Sequence, residues 1–241
     1  MRTIRGVALG TYYAAGANAA KRTPNASAMR GLVYAVKDNR EPPNPKQLVN
    51  HPRHPAGRPI AVDHTNAIEY VSAIIAKRLG ALTKFFGVDD PSKLILVPVP
   101  SSEVTATTIE TARFRTLRLC RALAGAGLGS VAVLAVQRKP IVAKTKGHRR
   151  SAQQILEGFV RTSTPMPRSG TLVFVDDNVQ SGNSIAALDR LLGATRAACG
   201  FAVAVTDSTE CTDAMKGRVF AISYNEDTSP LGSVVCGLDP K

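Results

Sequence analysis

The residues best suited to chemistry lie within 171–184, which read TLVFVDDNVQSGNS. An apolar run with strand character leads into two adjacent acids, Asp176 and Asp177, and a small-residue loop follows at 181–184. A predicted helix begins at this loop. The first turn of a helix offers unpaired N–H groups and a partial positive charge to a phosphate. Carboxylates only accept hydrogen bonds, so they suit two neighbouring hydroxyls of a ribose. The segment therefore predicts a site for a phosphorylated sugar; the alternative is an ordinary acidic strand end followed by a turn and a helix.

The loop after the acids has residue types that fit a phosphate. Gly182 lets the backbone approach closely, and the hydroxyls of Ser181 and Ser184 add donors. The whole string resembles the signature for phosphoribosyl pyrophosphate (PRPP) in type I phosphoribosyltransferases, which is an apolar strand, Asp-Asp, three variable residues and Ser/Thr-Gly-x-Ser/Thr. Both acids, the glycine and both hydroxyl positions match this signature. The departures are Asn178, Gln180 and Asn183.

The resemblance implies a role for each residue of the motif. Asp176 and Asp177 would hold the 2- and 3-hydroxyls of the ribose, and a Mg²⁺ ion through them or through water, without direct ligation by a dedicated protein site. Gln180, Ser181, Gly182, Asn183 and Ser184 would anchor the 5-phosphate. Gln180 enters the phosphate loop, where its side chain could narrow it.

A second loop follows the predicted strand 93–100. In the resembled family, the loop after the first core strand binds pyrophosphate largely through main-chain amides. Pro98 and Pro100 have no N–H to donate, which leaves Val99, Ser101 and Ser102 as the expected donors. The alternative is a rigid turn that only ends the strand.

A basic segment, 138–150, precedes the acidic motif. It is loosely similar to the mobile loop that closes over the diphosphate in orotate phosphoribosyltransferases, and the resemblance gives Lys144, Lys146 and His148 a catalytic role. Closure would bring cations to the departing pyrophosphate and exclude water. A solvated basic loop, or a loop that contacts nucleic acid phosphates, is the alternative.

In layout the chain is similar to ComF-type competence proteins, which are themselves phosphoribosyltransferase-like. The similar features are Tyr12, Lys37, the VPVP strand, an arginine-rich helix and the ILEGF of 155–159. Two features depart from those proteins: an N-terminal cysteine cluster for zinc is missing, and the helix carries ARFR at 112–115.

The composition limits the classes of function. The 31 basic and 18 acidic residues give a net charge of +13, which favours phosphorylated small molecules or nucleic acid as partners. The four cysteines lie far apart, without the spacing of a zinc site or a disulfide framework, so we expect a cytoplasmic protein. We expect no membrane partner and no cleaved signal, because the apolar runs are too short. The histidines at 51, 54 and 64 lie on a proline-broken stretch that does not bring them together as a metal site.

Strands and helices alternate from residue 92 onward, which predicts a doubly wound α/β fold with a mainly parallel sheet. Residues 1–90 are expected to form an N-terminal hood or flanking helical layer, and 91–241 a phosphoribosyltransferase-like core domain. Ligands bind such sheets at the carboxyl ends of the strands, where the acidic motif lies.

We therefore expect a Mg²⁺-dependent phosphoribosyltransferase, an enzyme of nucleotide metabolism that transfers ribose 5-phosphate from PRPP to a nitrogenous acceptor. No segment indicates which base is the acceptor, and a homodimer is left open. The alternative is a non-catalytic ComF-like protein that senses PRPP or a nucleotide and binds nucleic acid through its basic surface.

Overall fold

The computed structural model describes residues 1–13, 23–37, 47–50, 59–111, 114–140, 150–193, 197–207 and 214–238. Within these ranges the helices are α1 (Pro24–Val36), α2 (Ala67–Lys77), α3 (Leu79–Phe85), α4 (Arg115–Gly125), α5 (Ala152–Gly158) and α6 (Asn183–Leu191). The strands are β1 (Arg2–Tyr13), β2 (Gln47–Asn50), β3 (Pro59–Val62), β4 (Leu94–Pro98), β5 (Ser130–Val131), β6 (Ala135–Gln137), β7 (Phe159–Arg161), β8 (Thr171–Val179), β9 (Ala198–Asp207), β10 (Arg218–Tyr224) and β11 (Val235–Leu238).

Seven strands form the main sheet, in the order β11-β10-β1-β9-β8-β4-β5. Neighbouring strands from β5 through to β1 are parallel, whereas β10 is antiparallel to β1 and β11 is antiparallel to β10. The predicted α/β fold with a mainly parallel sheet is therefore confirmed.

The strand order contains a point where the chain changes direction across the sheet. From β4 the chain passes to β5 on one side, and it later returns to β8 on the other side of β4. In open α/β sheets a crevice forms at such a point, outside the carboxyl ends of the two strands, and ligands bind there. The crevice here lies between the ends of β4 and β8, where the sequence placed its candidate residues.

The central strands are apolar because helices cover both faces of the sheet. All five residues of β4 are buried. On one face, Val173 and Val175 of β8 pack in a core that includes Met29 of α1 and Leu119 of α4. On the other face, Phe174 belongs to a core built with residues of α5 and α6. This arrangement is compatible with a doubly wound architecture.

The position of the first strand differs from the sequence-based expectation, which assigned residues 1–90 to a hood or a flanking helical layer. Helices α1 and α2 do pack on one face of the sheet, but β1 lies inside the sheet between β9 and β10. The glycines of β1 make this position possible, since the ring of Phe220 fills the space that a side chain at Gly6 would need. Glycine is a poor strand former, so these residues make the strand difficult to predict from the sequence.

Three local features were not predicted from the sequence. The arginine-rich helix begins only at Arg115, after a 3₁₀ turn at Ala106–Thr108. Two short strands, β5 and β6, follow it, and β6 pairs with β7 instead of joining the main sheet. The proline-rich stretch contains β2 and β3, which pair as an antiparallel ribbon. Among the described residues, no helix has the length and apolar character needed to cross a bilayer.

Candidate functional site

The two acids lie on a strand that is longer than predicted. The sequence suggested that the strand ends at Val175, whereas β8 continues to Val179. Its neighbour β4 ends earlier, with Pro98 opposite Val175, while pairing with β9 continues as far as Val179. Asp176 and Asp177 therefore project beyond β4, into the crevice at the switch point.

The two acids have different surroundings, because successive residues of a strand point to opposite faces. The carboxylate of Asp177 lies 3.2 Å from the ammonium of Lys37, directly after α1. Asp176 lines a cavity together with the loop that precedes α6. The acid pair thus contacts the N-terminal helical layer on one side and the loop cavity on the other.

The pKa values of these groups reflect their closeness. Burial and the negative charge of Asp177 raise the pKa of Asp176 to about 7. Burial disfavours the charge of Lys37, but the charges of Asp177 and Asp176 outweigh it and raise the pKa of the ammonium. In the free protein, Asp176 therefore exchanges a proton near neutral pH, and a cationic or hydrogen-bond-donating ligand would stabilise its charged form.

The loop before α6 has the backbone of an anion site. Gly182 is the N-cap residue, with a φ of 75° that side-chain-bearing residues rarely adopt. The first N–H groups of α6 have no carbonyl partner within the helix. An added Cβ at Gly182 would lie 2.8 Å from Ile222 of β10. Packing and backbone conformation therefore require a glycine here even without a bound ligand.

A cavity of about 220 Å³ opens over this loop, and Arg150 forms part of its wall. The Nη1 atom of Arg150 is buried and has no hydrogen-bond partner in the described part of the chain. The side-chain amide of Asn183 donates to the backbone carbonyl of Arg150 at 2.9 Å, which fixes the arginine next to the loop. Burial lowers the pKa of Arg150. A buried, charged N–H group is costly to leave without an acceptor, so this arrangement favours an anion at Nη1.

Arg150 did not belong to the set of site residues predicted from the sequence, although the basic segment includes it. The sequence did offer one indication of its position. Arg150 directly precedes Ser151, which caps the start of α5 through two hydrogen bonds with Gln154. The contact with the loop, by contrast, depends on Asn183, 33 residues away.

Gln180 does not close the loop cavity. Its side chain is exposed, and it lines both this cavity and a neighbouring one beside β9 and α1. The cavity over Ser181–Ser184 has a volume of about 220 Å³, which is enough for several water molecules.

The loop after β4 only partly matches the prediction. The amide of Val99 donates to the carbonyl of Val175 at 3.0 Å, so it extends the sheet and is not available to a ligand. The carbonyl of Val99 accepts from the buried hydroxyl of Thr116 at 2.8 Å. Val99 is therefore removed from the set of ligand donors, while Ser101 and Ser102 follow it and are half-exposed, and neither of them lines the cavity that contains Asp176.

The other predicted catalytic residues, Lys144, Lys146 and His148, lie outside the described residues. Two earlier cations of the basic segment, Arg138 and Lys139, are exposed.

The acid pair supplies two adjacent carboxylates, which are only part of a site for a divalent cation. In the described residues, no group of three or more His, Cys, Asp or Glu side chains could hold a metal. Two adjacent carboxylates, one with a raised pKa, are nevertheless sites where a cation relieves charge repulsion. Mg²⁺ is commonly held by one or two carboxylates, with water and substrate phosphates as its other ligands.

Comparison with protein-family models and with curated protein sequences found no match for this chain.

Proposed function

We propose that the chain is a Mg²⁺-dependent phosphoribosyltransferase of the type I kind, which transfers ribose 5-phosphate from PRPP to a nitrogenous acceptor and releases pyrophosphate. The observation that carries the proposal is the loop cavity. It combines a helix N-terminus, the hydroxyls of Ser181 and Ser184, and the buried, unpartnered Nη1 of Arg150, and it lies next to Asp176.

Each part of the crevice has a role in this reaction. Ser181–Ser184 and Arg150 bind the 5-phosphate, and Asp176 and Asp177 accept hydrogen bonds from the ribose hydroxyls. The ribose then extends toward β4, where Ser101 and Ser102 face the pyrophosphate. Positive charge gathers on C1 as the pyrophosphate leaves, and a pair of nearby carboxylates stabilises that charge. The acid pair, together with the substrate phosphates, would hold Mg²⁺, which supplies charge neutralisation for the leaving pyrophosphate.

The test of the phosphate site is calorimetric titration of ribose 5-phosphate into the protein and into Arg150→Met. A hydrogen bond to a charged group contributes about 1.5–3 kcal/mol, so we expect the affinity to fall about 10- to 100-fold. The matched control is Arg168→Met, an exposed arginine before the amino end of β8, which should bind like the unaltered protein. Equal affinity in Arg150→Met and the control would contradict the proposed phosphate site.

Catalysis is tested by measuring pyrophosphate release from PRPP and Mg²⁺ with a panel of nitrogenous bases. Turnover with one base names both the reaction and the acceptor. Binding of ribose 5-phosphate without turnover on any base would keep the site and reject the enzyme.

The net charge of +13 favours the second candidate, a non-catalytic protein that senses PRPP and binds nucleic acid. A polymer binds to an exposed basic surface, whereas Nη1 of Arg150 is buried in a cavity. The two functions are therefore separable: salt-dependent binding of single-stranded DNA that Arg150→Met leaves unchanged would support the second candidate.

A further inference from the structure

A second cavity, of about 210 Å³, adjoins the phosphate cavity. Its walls come from four elements that are distant in the sequence, namely β1, α1, β9 and the end of β8. The residues that matter for its chemistry are Tyr12, Tyr34, Lys37, Asn178, Gln180 and Thr206. Asn178 and Gln180 also line the phosphate cavity, so a ligand in one cavity lies directly beside a ligand in the other.

The position of this second cavity relative to the acids is specific. It lies on the β9 side of β8, whereas the loop with Ser101 and Ser102 follows β4 on the opposite side of β8. A group that leaves toward β4 would thus depart on the side of the acid pair away from the second cavity. A nucleophile in the second cavity would approach the sugar from the side opposite to the leaving group, as a displacement at carbon requires.

The walls favour a small, planar and polar ligand. Two phenol rings provide flat apolar surface. The hydroxyl of Tyr12 forms a hydrogen bond with that of Tyr34, and Asn178 donates to Thr206 at 3.0 Å. The volume is below that of a typical pocket for a drug-sized ligand, so a nitrogen heterocycle with one ring fits with more clearance than one with two.

Positive charge lies close to this cavity. The guanidinium of Arg30 stacks on the ring of Tyr34, 5.3 Å from its centroid. Its Nε atom is buried and has no hydrogen-bond partner among the described residues. Lys37 adds an ammonium, but its charge is offset by Asp177 at 3.2 Å. Arg30 forms no ion pair among the described residues, and its charge favours a ligand that carries, or easily acquires, negative charge.

We infer that the second cavity binds the acceptor of the transfer reaction, and that this acceptor is a single-ring nitrogen heterocycle with an acidic N–H. The inference rests on the proposed function. In the reaction the lone pair of the ring nitrogen forms the bond to C1 of the ribose. The C1–O bond breaks with its electron pair on pyrophosphate, and the proton of the ring nitrogen passes to solvent.

The test is calorimetry with uracil as the single-ring probe and adenine as the two-ring probe, in protein saturated with ribose 5-phosphate. We expect a single-ring probe to bind more tightly than adenine. Tyr34→Leu and Thr206→Val should weaken that binding about tenfold, while the affinity for ribose 5-phosphate stays within about twofold. Thr164→Val, at an exposed threonine outside both cavities, is the matched control.

The outcomes separate this inference from the proposed function. If ribose 5-phosphate binds but no heterocycle does, or if Tyr34→Leu and Thr206→Val bind the heterocycle as the control does, the inference is overturned and the proposed function stands. Tighter binding of adenine overturns the single-ring assignment. If ribose 5-phosphate itself does not bind, the proposed function fails and the acceptor site fails with it.

Discussion

Asp176 is the residue whose protonation most directly couples the site to pH. Its pKa is about 7 in the folded protein, because of burial and the charge of Asp177, against an ordinary value of 3.8. The folded state therefore holds a proton that the unfolded chain has already lost. The stability that this proton gives is complete below about pH 4 and is lost as the pH rises through 7.

Asp176→Asn should remove this pH dependence. We expect the variant, without ligand, to exceed the unaltered protein in free energy of unfolding at pH 8 by about 1–3 kcal/mol, with a smaller difference at pH 5. Urea unfolding at the two pH values measures it, and Asp227→Asn, at an exposed acid, is the control. The same variant should bind ribose 5-phosphate more weakly, because an amide is a poorer partner for the hydroxyls. A variant that is less stable at pH 8 would show that the acid pair does not carry the repulsion described here.

At the scale of elements, the start of α6 combines an unusual backbone with a close core contact. Gly182→Ala places a Cβ against Ile222 and forces a residue with a side chain into positive φ. We expect a loss of about 1–3 kcal/mol in stability without any ligand. Thermal unfolding measures this loss, and Gly80→Ala in α3, where an added Cβ meets no atom within 4 Å, should be neutral or stabilising.

A double-mutant cycle identifies the cause of that loss. In an Ile222→Ala background the clash is removed, so Gly182→Ala should cost less than in the unaltered protein. If the cost is the same in both backgrounds, the strain comes from the backbone alone. An unchanged stability together with lost ribose 5-phosphate affinity would instead show that a side chain at 182 meets the phosphate and not the core.

At the scale of the whole molecule, the position of β1 decides whether residues 1–90 and 91–241 can fold as separate parts. Ile4, Ala8 and Thr11 of β1 are fully buried, and the strand joins the parallel part of the sheet to β10. Arg2 also forms a two-point hydrogen bond with Asp189 of α6, which accepts from Tyr224 as well. The first strand therefore connects the parallel strands to β10 and, through Arg2, to α6, which follows the loop 181–184.

We expect residues 91–241 alone not to fold cooperatively, because β9 and β10 would lose the partner between them. Circular dichroism and urea unfolding of that fragment measure this, and adding residues 1–90 as a separate chain should restore a cooperative transition. A fragment 91–241 that unfolds cooperatively and binds ribose 5-phosphate would support the two-part division expected from the sequence.

The sequence by itself determined the part of the site that is continuous in the chain. The strand before Asp176, the loop at 181–184 and the helix after it follow one another directly, so apolar patterning and a glycine before a helix suffice to predict them. Even there, the strand extends to Val179, because β9 continues to pair with it after β4 has ended. Whether an amide such as that of Val99 is free for a ligand likewise depends on the neighbouring strand.

Only the tertiary structure decided which distant residues share the site. Lys37 reaches Asp177 across 140 positions because α1 packs over the end of β8. Arg150 meets the loop 181–184 through Asn183, and Tyr12 reaches the cavity beside β9 and α1 because β1 inserts beside β9. The local spacing of residues does not predict such contacts. They form because apolar faces of elements that are distant in the chain are buried against each other.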